Sequence, residues 1–200
     1  MADAKMAAKK TIGLVFIQGY ADWEFGFLSG SAVEYFGVRI VSLAPGGKPV
    51  TSIGSLLLTP ERGVSADENA DLDAVAVIGS EGWFSDNPPD IAPLLLSVHA
   101  RGGTVGGICA GTLALARAGL FSGRAHTSNG AGWMEKKIGD YDGADRYRDV
   151  PFAVSNGRIV SASGTAPGTF AAAFLETLFP EQAENIRQMR GLLAREYGSV

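Results

Sequence analysis

The chain has 200 residues, 46% of them apolar, with 17 lysines and arginines against 21 aspartates and glutamates for a formal net charge of −4. That length buries a full core as one domain, and the acidic balance with scattered basic residues gives no support for a nucleic-acid footprint. A single cysteine excludes an internal disulfide, and with His99 and His126 as the only histidines a structural zinc site lacks its usual ligands, so neither metal nor cofactor is expected.

Residues 1–10, "MADAKMAAKK", read as a loose tail, and residues 11–200 as a single domain. The apolar run "TIGLVFI" (11–17) is a buried strand rather than a signal sequence, because polar residues follow it with no small-residue cleavage pattern. No stretch approaches the roughly 18 continuous apolar residues of a membrane span. A soluble protein of a reducing, cytoplasmic compartment is expected, with no membrane or nucleic-acid partner. From Asp22 the period changes: Phe25, Leu28, Ala32 and Tyr35 recur at helical spacing, with Asp22 as N-cap and Gly37 as the stop. "VRIVSLA" (38–44) is a strand, and "PVTSIGSLLLTPE" a hairpin-like excursion. "DAVAVIG" (73–79) is another buried strand, followed by a loop, a helix over 90–101, and the strand "TVGGIC" that ends at Cys109. "DVPFAVSNGRIVSAS" (149–163) predicts a hairpin with Asn156-Gly157 at its turn. Pro167 opens a helix over "APGTFAAAFLETLF", and "PEQAENIRQMRGLLAREYG" supplies a last amphipathic one.

Strands alternating with helices, and apolar throughout, predict an α/β fold: a doubly wound, mostly parallel sheet covered on both faces. Ligands bind such sheets beyond the carboxyl ends of the strands. Three segments meet along that edge: "GYADWE" with Glu24, "GSEGW" with Gly79 and Ser80, and "CAG" with Cys109 and Ala110.

Cys109 falls at a sharp strand-to-helix turn whose small neighbours let the backbone bend and expose a nucleophile. A thiol at a helix start faces unpaired N–H groups, which predicts a lowered pKa. The N–H of Ala110 and that of Gly79 or Ser80 are candidate donors to an oxyanion beside the sulfur. A carboxylate next to a thiolate is repulsive, so Glu24 is expected to share a proton with Cys109, donating to the sulfur when neutral. Trp23 and Trp83 flank the same crevice, and His99 is expected at the surface.

"GGICAGTLALARAGLFSGR", with "GYADWE" upstream and "ASGTAPGTFAAAFLETL" downstream, resembles the ThiJ/PfpI superfamily over residues 11–178. These are flavodoxin-like relatives of class I glutamine amidotransferases. The resemblance places the family's elbow cysteine on Cys109, its acidic partner on Glu24 and its oxyanion loop on Gly79 and Ser80. Many members carry a histidine a few residues after the "GR" that follows the elbow helix. Aligned without gaps, that position is Asn129, while His126 lies three residues earlier, in "HTSNG", and is the candidate third site residue. The resemblance implies cysteine chemistry on a small electrophile: glyoxalase-type conversion of a dicarbonyl, isocyanide hydration or amide hydrolysis. It also implies a homodimer. A redox-responsive stress protein whose Cys109 is oxidised, and a binding protein with an inert thiol, are the competing readings. Amidotransferase activity is disfavoured because no histidine follows position 126.

Overall fold

The computed structural model describes residues 9–197. Of the expected N-terminal tail, only Lys9 and Lys10 fall among them. Strand β1 (Thr11–Val15) is buried along its whole length, as its unbroken apolarity requires. Helix α1 (Asp22–Phe36) follows and stops where Gly37 turns to φ 63° and caps the carbonyls of Ala32 and Val33. Its N-cap is Ala21, not Asp22. The Asp22 carboxylate instead accepts the N–H of Gly54, 2.8 Å away, and so ties a separate antiparallel hairpin to the start of the helix. That hairpin consists of β3 (Val50–Thr51) and β4 (Leu57–Leu58), after β2 (Arg39–Leu43).

β5 (Ala74–Val77), α2 (Ala92–Ala100), β6 (Thr104–Ile108) and α3 (Thr112–Arg117) continue the alternation, and α4 (Trp133–Ile138) lies in a stretch whose conformation the sequence did not reveal. β7 (Val154–Asn156) and β8 (Ile159–Ala162) form the last hairpin. Asn156 pairs with Ile159, so the linking residues are Gly157 and Arg158, one position later than expected. α5 (Pro167–Leu178) starts on its proline, and α6 (Ala183–Tyr197) ends the described chain.

The main sheet has the order β2-β1-β5-β6-β8-β7, all neighbours parallel except the β8–β7 edge pair. Counting only the parallel strands in chain order, this is the flavodoxin-like arrangement 2-1-3-4-5. Side chains alternate between two apolar layers. Ile12, Leu14, Ala74, Ala76 and Val160 meet α1, α5 and α6 through Leu28, Phe170, Phe174 and Ile186. Val41, Val75, Val77 and Val105 meet α2 and α3 through Leu94, Val98, Leu113 and Leu115. Each large side chain so buried contributes roughly 1.5–3 kcal/mol. The sheet order sets β1 and β5 side by side with the chain leaving them in opposite directions, so a crevice opens at their carboxyl ends.

Candidate functional site

Ile108, the last residue of β6, is extended, and Cys109 turns abruptly to φ 55°. A non-glycine residue held there costs on the order of 1–3 kcal/mol, which its surroundings must offset. Cys109–Gly111 form one 3-10 turn that runs directly into α3. Gly111 is required: a Cβ there would lie 2.3 Å from the Val77 carbonyl oxygen at the end of β5. The Cys109 carbonyl accepts from the Thr112 hydroxyl at 2.6 Å, and that hydroxyl also bonds Ser128 Oγ at 2.7 Å.

Glu24, in the first turn of α1, is fully buried against the sulfur. Its Oε2 accepts the Gly79 N–H at 2.6 Å, while Oε1 is buried with no such N–H partner among the described residues. Two glycines wall the pair. A Cβ on Gly164, just after β8, would lie 2.8 Å from Cys109 Sγ and 3.1 Å from Glu24 Oε1, and one on Gly79 would lie 2.5 Å from Glu24 Oε2.

Burial pushes the Glu24 carboxyl up to about 7, against the pull of the Gly79 N–H and the cysteine. Burial also pushes the Cys109 thiol up, to about 11, and the charge of Glu24 adds to this, while the Asn129 amide and the Ala110 N–H draw it back. This corrects the lowered thiol pKa expected from the helix start: a single 3-10 turn does not outweigh burial beside a carboxylate. Between the two values the pair holds one proton and one negative charge, shared between oxygen and sulfur. An acidic proton on Oε1 would give that orphaned oxygen the sulfur as acceptor.

The remaining expected residues are placed as follows. Ala110 is buried with its N–H on the sulfur. The Gly79 N–H is engaged by Glu24 and is not free for an oxyanion. The Ser80 hydroxyl donates to the Gln18 carbonyl at 2.6 Å and accepts the Gly82 N–H at 3.1 Å, so it builds the loop after β5. His126 is fully buried, stacked on Phe121 with ring centroids 4.1 Å apart. Its Nδ1–H donates to the Arg124 carbonyl at 2.9 Å and its Nε2 accepts from the Tyr141 hydroxyl at 2.8 Å, so neither ring nitrogen is spent on the sulfur. Burial lowers its pKa and keeps it neutral. Trp83 is a core residue, its indole N–H on the Ile78 carbonyl, so of the two tryptophans only Trp23 flanks the crevice. His99 is half-buried on α2 rather than at the surface.

Two residues not among the expected donors meet the pair. Asn129 Nδ2 donates to Cys109 Sγ at 3.2 Å, and its Oδ1 accepts the Gly164 N–H at 3.0 Å. The Gly164 carbonyl accepts the Trp23 indole N–H at 2.9 Å. The gapless alignment on "GR" already pointed at Asn129, but its contact with the sulfur depends on Gly164, far along the chain.

Comparison with known proteins gives a consistent result. The model of the DJ-1/PfpI family matches residues 10–177. Two proteins of Bacillus subtilis named as uncharacterized proteases are similar: YoaZ, 30% identical over 165 residues and covering 79% of this chain and 78% of its own, and YdeA, 29% identical over 183 residues and covering 90% and 89%. Among solved structures, the DJ-1 superfamily protein Atu0886 from Agrobacterium tumefaciens superposes with a TM-score of 0.82 at 34% identity, over 94% of this chain and 99% of that one. Oxidized DJ-1 of Toxoplasma gondii shares the fold at 17% identity, with a TM-score of 0.71 over 92% and 97% of the two chains.

Proposed function

The chain belongs to the DJ-1/PfpI family, and from that premise we propose that it is a cysteine-dependent enzyme in which Cys109 adds to an electrophilic carbon of a small molecule while Glu24 carries the proton. The observation that carries this reading is the meeting, at a strained turn, of a thiol and a fully buried carboxyl whose Oε1 has no hydrogen-bond donor among the described residues other than the thiol itself. A proton moving between Oε1 and sulfur needs no third titratable group. That favours addition to a carbonyl, as in dicarbonyl conversion, over the peptide hydrolysis in the names of the bacterial relatives. A histidine base for hydrolysis would have to be His126, whose ring nitrogens are both engaged. The test is consumption of methylglyoxal by the purified protein. Loss in Cys109→Ser and a large fall in Glu24→Ala are expected; turnover surviving without the thiol would remove Cys109 from the mechanism.

One feature favours a second reading, in which Cys109 is oxidised by peroxide to a sulfinate and turnover is incidental. The chain has no other cysteine to resolve a sulfenic acid, and a protonated Glu24 donates equally well to a sulfinate oxygen. Intact-mass analysis after graded peroxide separates the two. Under the redox reading, the wild type and Glu24→Gln stop at sulfinate while Glu24→Leu does not; under the enzyme reading, Cys109 stays reduced at peroxide levels that leave dicarbonyl turnover intact.

The same proposal includes a homodimer in a reducing, cytoplasmic compartment. Trp23 and Phe27 on α1 and Ile53, Leu56 and Leu57 on the hairpin tied to it are all exposed, an apolar surface beside the site that a second copy would cover.

A further inference from the structure

Resting on the reading of Cys109 as a nucleophile toward carbonyl carbon, we propose that the side chain of Asn129, held in place by Tyr147, supplies a side-chain oxyanion donor at this site. Carbonyl addition puts a negative charge on oxygen, and fixed donors aimed at that charge supply the largest share of the catalysis. The nucleophile-elbow plan assigns this duty to two backbone N–H groups. Here the Ala110 N–H is available at the sulfur, but the Gly79 N–H is bound to Glu24 Oε2 at 2.6 Å. That leaves the Ser80 N–H as the remaining backbone candidate of the loop after β5, and Asn129 is the side chain whose donor faces the sulfur.

The amide orientation is fixed rather than arbitrary. Oδ1 takes the Gly164 N–H at 3.0 Å; turned over, the amide would set two donors against each other, so Nδ2 must face Sγ, 3.2 Å away. The loop is fixed as well. The Tyr147 hydroxyl accepts from Ser128 N at 3.2 Å and Gly130 N at 3.0 Å, the residues on either side of Asn129. His126 packs edge-on against the Tyr147 ring at 5.7 Å and its carbonyl accepts the Arg148 N–H at 2.8 Å, which gives the buried histidine a supporting role in this assembly.

The addition step balances without an added reactant. The thiol proton passes to Glu24 Oε1, a sulfur electron pair forms the S–C bond, and the carbonyl π pair moves to oxygen. Glu24 then returns the proton to that oxygen, giving a hemithioacetal with nothing oxidised or reduced. The oxyanion grows on the atom bonded to sulfur, close to where Nδ2 already points. The amide thus donates to the thiolate before addition and to the oxyanion after it. Asn129 does not titrate, so it adds no second ionisation to that of the Cys109–Glu24 pair.

The experiment compares two reactions of the same thiol in the full-length protein. The rate of hemithioacetal formation with 13C-labelled acetaldehyde, followed by exchange NMR, reports passage through the charged oxygen; alkylation by iodoacetamide displaces iodide and creates none. In Asn129→Ala and in the near-isosteric, donor-free Asn129→Leu, the rate of adduct formation is expected to fall about 10²-fold, and in Tyr147→Phe by less. Alkylation is expected to change no more than a few-fold in all three. Equal falls in both reactions, or a rate of adduct formation unchanged in the Asn129 variants, would overturn the proposal, as would a wild type that forms no adduct. If the wild type forms an Asn129-dependent adduct yet consumes no methylglyoxal, the enzymatic reading fails and the donor assignment stands.

Discussion

Glu24 is a residue whose environment works against the stability of the fold. Its folded pKa of about 7 lies above the ordinary value of 4.5, because burial penalises the charged form. Between those two values the folded state keeps a proton that the unfolded state has released. Stability is therefore complete below pH 4.5, falls as pH rises toward 7 by on the order of 3 kcal/mol, and then levels off. Glu24→Gln removes the loss. In denaturant unfolding, the variant should match the wild type at pH 4.5 and exceed it by a few kcal/mol at pH 8; parallel wild-type and variant curves across this range would mean that Glu24 is not held as an acid. Gly164→Ala tests the opposing wall, since its methyl group would sit 2.8 Å from the sulfur. It should cost about 1–3 kcal/mol of stability, and it should slow alkylation of Cys109 at least about tenfold, roughly 1.4 kcal/mol of barrier. Cys109 and Glu24 were legible in the sequence because each stands at the carboxyl end of a recognisable strand. The upward shift of the thiol was not, since it depends on how deeply two distant segments bury each other.

At the scale of elements, the strongest signals were the unbroken apolar runs of β1, β5 and β6 and the proline that opens α5. These recovered the sheet, because a parallel strand buried on both faces has no polar alternation to confuse it. Helix α4 leaves no such signal: Trp133–Ile138 is short and half-exposed, with too few turns for a helical period to show. Asp22 does not cap α1 for a tertiary reason, the diversion of its carboxylate to Gly54. Helix α5 makes the most quantitative case for packing. Phe174 is fully buried and occupies the space that Gly106 leaves open on β6, where a Cβ would meet the Phe174 ring at 2.7 Å. Phe174→Ala should therefore cost about 3–5 kcal/mol in denaturant unfolding. A cost under 1 kcal/mol would show that α5 does not lock onto β6 through this contact.

Across the whole molecule, the strand order does what no local segment can: it brings Glu24 after β1, Gly79 after β5, Cys109 after β6 and Gly164 after β8 to one point. The outer surface near that point carries the apolar side chains proposed to pair two copies. Phe27→Glu combined with Leu57→Glu should shift the sedimentation of the protein from dimer to monomer, and sedimentation of the wild type as a monomer would refute the pairing. The coupling of a distant carboxyl and thiol into one acid that shares a proton rests on this convergence. It is tested most directly by the pH dependence of iodoacetamide alkylation at Cys109 in the wild type and in Glu24→Gln. The wild-type rate should rise through a midpoint near 7, as the pair takes up its single negative charge, and that step should be absent in the variant. Superimposable profiles for the two proteins would contradict it.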